Sequence, residues 1–172
     1  MLKLMGAGIT VASCGAMGFH TCRGMRRRIR ILQQLRQMTV MLNSEITYAN
    51  ATLEEAFAHM EKRFQAPLNG FFHNLSEKLR EGEHGLLCEI FKSQVQKDLA
   101  DSGLKQSDLE SLGMVGEQLG YPDIQIQKKN LEYYLEQVNE ACMQAQQEYR
   151  EKEKMFRCLG ISAGVFLVIL FY

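Results

Sequence analysis

From Leu4 to Phe19 no residue carries a charge, and from Cys158 to Tyr172 the chain is again uncharged. Between these two runs, apolar and charged positions alternate at helical spacing. An uncharged run of about 20 residues, at 1.5 Å of helical rise each, is the signature of a membrane-spanning helix. The pattern therefore predicts an N-terminal transmembrane helix over 1–20, a soluble domain over 21–157 and a C-terminal transmembrane helix over 158–172. The last run is short for a span, so it is expected to recruit Met155 and Phe156 while Arg157 reaches back to the interface.

Basic residues set the orientation. Arg23, Arg26, Arg27, Arg28, Arg30 and Arg36 follow the first apolar run, and Arg150, Lys152, Lys154 and Arg157 precede the second, whereas Lys3 alone lies on the far side. Lys and Arg that border a span stay on the cytoplasmic side, so both flanks predict a cytoplasmic middle and outward-facing termini. A lipoprotein signal ending at Cys14 would reverse this. It is set aside because its basic region is Lys3 alone and the arginines would have to cross the membrane. Small residues recur at helical spacing in both runs, Gly8, Ala12 and Ala16 in the first and Gly160 and Gly164 in the second. Close packing of the spans is one explanation, and the ordinary Gly and Ala content of apolar segments is the other.

The soluble part has the size of one domain with one core. Strand signals are weak, and an all-α, six-helix bundle is predicted. Ile31, Leu35, Met38 and Leu42 form an apolar stripe on the first helix, which is expected to end near Tyr48 to Asn50. Thr52 and Glu55 read as a capping box for a second helix that buries Leu53, Phe57 and Met60 or Phe64. Pro67 and Gly70 mark the next break. A third helix carries Phe71, Phe72, Leu75 and Leu79 and stops at the glycine-rich Glu81–Gly85. The fourth carries Leu86 or Leu87, Ile90, Phe91, Val95 and Leu99 and closes at Ser102–Gly103. Ser107 with Glu110 reads as a second capping box, opening a fifth helix with Leu109, Leu112, Val115 and Leu119 inside, which ends at Gly120–Pro122. Leu131, Leu135, Val138, Cys142, Ala145 and Tyr149 follow a near-heptad rhythm in the long last helix. Its stretch from Gln144 to Lys154 is polar nearly all round, as a solvated stalk would be, with Glu148 paired to Lys152.

Charge and chemistry add exclusions. The formal net charge of zero gives no footprint for nucleic acid, and the arginine cluster suits anionic lipid better. Five cysteines without a C-x-x-C pair point to reduced thiols. His20, His59, His73 and His84 lack partners at metal-ligand spacing, and no glycine-rich phosphate loop or nucleophile elbow is present. No catalytic, cofactor-binding or metal-ligating residues are therefore expected, and the chain is expected not to be an enzyme. One local signal stands out, Gly113–Gly120, where Gly113 and Gly116 inside a helix argue for a close helix contact and Glu117 is either buried or offered to a partner.

Met1 to Gly6, Ser44-Glu45-Ile46 with Tyr48, Thr52-Leu53 with Glu55-Ala56, and Gly116-Glu117 with Leu119-Gly120 together resemble the stage III sporulation protein AB family over essentially the whole chain. That family is similar in turn to the cytoplasmic domain of the type II secretion F and type IV pilus platform proteins. Leu53 and Ala56 match their L-x-x-A pattern, and Gly116, Glu117 and Gly120 match their G-E-x-x-G. Platform proteins differ in carrying two copies of the domain and three spans. The resemblance implies a non-enzymatic membrane component of the mother cell–forespore channel in endospore formation, working with the stage III AA-type ATPase and the ring-forming AG and AH proteins. Its domain would lie in the mother-cell cytoplasm. Partner contact is expected around Gly116, Glu117 and Gly120 and at the loop bearing Glu81, Glu83 and His84, since loops on a rigid bundle are common docking sites. A homo-oligomer is an allowed state. The alternative is a membrane-tethered regulatory or sensing module acting through its stalk.

Overall fold

The computed structural model describes the backbone of residues 2–49, 52–81, 86–119 and 123–171, and the side chains of 22–47, 52–81, 86–119, 123–156, 158, 159 and 162. Among these residues the chain forms six α-helices: α1 (Leu2–Ser44), α2 (Leu53–Glu61), α3 (Leu68–Arg80), α4 (Leu87–Leu99), α5 (Gln106–Leu119) and α6 (Ile124–Phe171). A π-helical turn, Glu45–Ala49, follows α1, and a 3-10 turn, Ala100–Ser102, follows α4.

The two long helices pack on each other, and α2 with α3 and α4 with α5 complete the bundle. Arg26 of α1 meets Tyr149 of α6, whereas Leu32 and Leu35 meet Tyr134, Val138 and Ala141 around a small cavity. Rising numbers on α1 thus face falling numbers on α6. The pair is antiparallel, and the two ends of the chain leave the bundle on the same side. Among the described residues no helix is long and apolar enough to cross a membrane. Gly8, Ala12, Ala16, Arg157, Gly160 and Gly164 lie outside the described side chains.

The apolar stripes land as their spacing demands. Ile31, Leu35, Met38 and Leu42 are buried on α1, and Leu131, Val138, Cys142 and Ala145 on α6. Phe57, Phe64, Phe71, Phe72 and Phe91 form one aromatic cluster with neighbouring ring centroids 5.1–6.2 Å apart: Phe57 and Phe72 are stacked, and the other pairs are tilted or edge-on.

The expected start of α2 is present in full. Glu55 N–H donates to Thr52 Oγ1 at 3.3 Å, and Thr52 N–H donates to Glu55 Oε2 at 3.0 Å. The Thr52 amide and hydroxyl hold the Glu55 carboxyl below the usual carboxylate range.

Met60 completes the buried face of α2, and Phe64, also buried, sits in the connection after that helix ends at Glu61. Three local expectations are corrected. Gly70 breaks nothing: it lies inside α3, in open space. The cap of α5 is made by Asp108, whose Oδ2 accepts the Lys105 N–H at 2.9 Å, so the three-residue spacing holds two residues earlier than Ser107 and Glu110. Glu148 pairs across the bundle with Lys105 at 2.9 Å, and that hydrogen bond holds its carboxyl below the ordinary range.

Candidate docking surfaces

Gly113 and Gly116 are both buried on α5, and they do different things. A β-carbon on Gly116 would lie 2.6 Å from Phe91 Cβ, so this glycine lets α5 touch α4. One on Gly113 would meet only Lys92 Cγ, at an ordinary 3.5 Å. The next residue, Glu117, points outward beside Met114, which is 55% exposed, and it has no ion-pair partner among the described residues. Of the two described residues of the G-E-x-x-G signal, Gly116 is explained by packing and Glu117 is exposed.

The other expected contact point is more scattered. Glu81 caps α3 and is exposed. Glu83, His84 and Gly120 lie outside the described residues. No hydrogen bond or ion pair brings Glu81 and Glu117 together among those described. The motif residues Leu53 and Ala56 belong to the first turn of α2, half-buried and buried respectively, so they too are packing positions.

The arginine border is more specific than a charge count suggests. Arg28 is 7% exposed and grips Asp108 with two bonds, Nε to Oδ2 at 2.8 Å and Nη2 to Oδ1 at 3.0 Å. Unlike the other arginines of the basic border on α1, it is buried in the bundle. Arg26 Nε donates to Tyr149 Oη at 2.7 Å, tying α1 to α6. The aliphatic stem of Arg27 lies against Gly103, whose φ of +95° supplies the left-handed turn after α4. Arg23 and Arg30 are exposed.

The Arg28–Asp108 pair was missed, yet its signal was present. Arg28 stands three or four residues before Ile31 and Leu32 and seven before Leu35, on the buried stripe of α1. A charge in that position requires a buried counter-charge. Tyr134, one residue off the heptad rhythm, was also missed. It lines a cavity of about 30 Å³ with Leu32, Leu35, Asp108, Ser111, Gln137, Val138 and Ala141. Burial, with Asp108 nearby, pushes its phenol well above the ordinary tyrosine range. No three His, Cys, Asp or Glu side chains gather as a metal site among the described residues.

The described residues thus form an all-helical bundle carried on two long antiparallel helices, with an exposed acidic group beside a tight helix contact. The family model for stage III sporulation protein AB matches residues 3–172, and the chain belongs to that family. It is 30% identical over 170 residues to stage III sporulation protein AB of Bacillus subtilis (strain 168), covering 99% of each chain. It also resembles a solved structure titled stage III sporulation protein AB, with a TM-score of 0.67 and 27% identity, over 72% of this chain and 97% of that one.

Proposed function

We propose that this sporulation protein is a non-enzymatic platform in the membrane between mother cell and forespore. Its bundle, residues 21–157, occupies the mother-cell cytoplasm, and both termini lie outside. Its task is docking: it couples the stage III AA-type ATPase to the membrane assembly and to the AG and AH proteins. The observation that carries this reading is the antiparallel pairing of α1 and α6. That pairing directs the two terminal apolar runs to one end of the bundle, beside the exposed Arg23, Arg26, Arg27 and Arg30 of α1 and Arg150, Lys152 and Lys154 of α6. Family membership and the platform-like motifs at Leu53, Ala56, Gly116 and Glu117 support the same task.

Orientation has a direct test. Cytoplasm-active reporters fused after Tyr48 or Ser102 in the full chain are expected to work. Signal only from reporters that function outside the membrane would reverse the topology and remove the ATPase from reach.

A further inference from the structure

A cleft of about 310 Å³ opens on the side of α1, between that helix and the turn joining α2 to α3. Its walls are Arg30, Gln33, Gln34 and Gln37, which share one face of α1 by their three- and four-residue spacing, and Arg63, Phe64 and Gln65 of the turn. The turn is fixed in place. Phe64 N–H donates to Met60 O at 3.1 Å, and Gln65 N–H donates to Gln34 Oε1 at 3.3 Å, which ties the turn to α1.

No carboxylate lines this cleft. Arg30 and Arg63 have no hydrogen-bond or ion-pair partner among the described residues, whereas Arg26, Arg28 and Arg80 each have one. The acidic residue nearest in sequence, Glu61, is engaged at 3.2 Å by His73. Two guanidinium groups without a counter-charge, set among four glutamines, match a ligand with carboxylates on a peptide backbone: guanidinium forks bind the carboxylates and carboxamides serve backbone donors and acceptors alike.

We infer that this cleft is a docking site for an acidic, extended segment of a partner protein. An anionic lipid headgroup fits less well. With α1 embedded up to Phe19, Arg30 stands about 16 Å and Gln37 about 27 Å further along the helix, against a headgroup layer of roughly 5–7 Å. The site is separate from Glu117 and holds whichever protein supplies the segment.

The test uses the full chain in nanodiscs of phosphatidylcholine and, in parallel, of mixed phosphatidylcholine and phosphatidylglycerol. The probe is a fluorescein-labelled dodecapeptide of alternating Glu and Ser, read by anisotropy, with a Lys–Ser peptide for comparison. Arg30→Glu/Arg63→Glu is set against Arg36→Glu/Arg150→Glu, which changes the net charge equally at exposed positions outside the cleft. Loss of the two cleft arginines is expected to weaken the acidic peptide by roughly tenfold or more relative to the matched control, in both kinds of disc. Equal weakening by the two double variants, or equal binding of the Lys–Ser peptide, would overturn the site. A difference that vanishes only with phosphatidylglycerol would overturn the protein segment in favour of lipid. Circular dichroism must show unchanged helicity in both variants.

Discussion

Arg28→Ala is expected to destabilise the bundle by about 3–5 kcal/mol, the usual result of removing one partner from a buried ion pair. Both side chains of the pair are less than a tenth exposed, and the two bonds at 2.8 and 3.0 Å satisfy each group in a setting where water cannot. Without the guanidinium, Asp108 retains the Lys105 N–H but faces Leu32, Leu35 and Tyr134 without a counter-charge. Asp108→Ala should cost about 1 kcal/mol more, because it also removes the cap of α5. Arg28→Met combined with Asp108→Leu should recover most of the loss and remain short by the cap, since an apolar pair of similar volume substitutes well for buried charges. Urea unfolding of the detergent-solubilised chain, followed by circular dichroism, measures all three. The exposed pair Lys105–Glu148 offers a contrast. Its loss should register below about 1 kcal/mol.

Gly116→Ala is expected to cost about 1–2 kcal/mol net, while the same change three residues earlier should stabilise. At position 116 the new methyl would sit 2.6 Å from Phe91 Cβ, 2.7 Å from Cγ and 2.8 Å from Cδ1. A β-carbon cannot rotate away, so α4 and α5 must part, and Phe91 belongs to the aromatic cluster that holds the core. Overpacking of this kind costs about 1–3 kcal/mol or more, and the better helix preference of alanine offsets only about 1 kcal/mol. Gly113→Ala meets no such obstacle and should gain about 0.5–1 kcal/mol. The pair of variants, compared in the same unfolding experiment, separates glycine kept for contact from glycine that is dispensable. A loss at both positions would mean that α5 tolerates no side chain on this face.

Helical periodicity made most of the bundle legible. The stripes on α1, α4 and α5 became core, and that on α6 did so with Tyr134 in place of Leu135, because a face of apolar residues at 3.6-residue spacing has nowhere else to go. The Thr52–Glu55 box was legible for a similar reason: two reciprocal bonds at fixed spacing leave few alternatives. Less visible were features made by residues far apart in the chain. Nothing next to Asp108 in the sequence marks it as buried, because its partner Arg28 stands eighty residues away. Glu148 sits four residues from Lys152, yet Lys105 of another element reaches it first. At the candidate site, the tight contact was readable from Gly116, and the exposure of Glu117 was not. The basic cleft had no signature at all, because Arg30 and Arg63 belong to segments that only the fold brings together.

The most direct measurement is titration of the purified AA-type ATPase with the full chain in nanodiscs, reading both complex formation and nucleotide turnover. The docking account predicts saturable binding, a changed turnover rate and weaker binding by Glu117→Lys with the helical content intact. Absence of binding, together with an unaltered turnover rate, would contradict it.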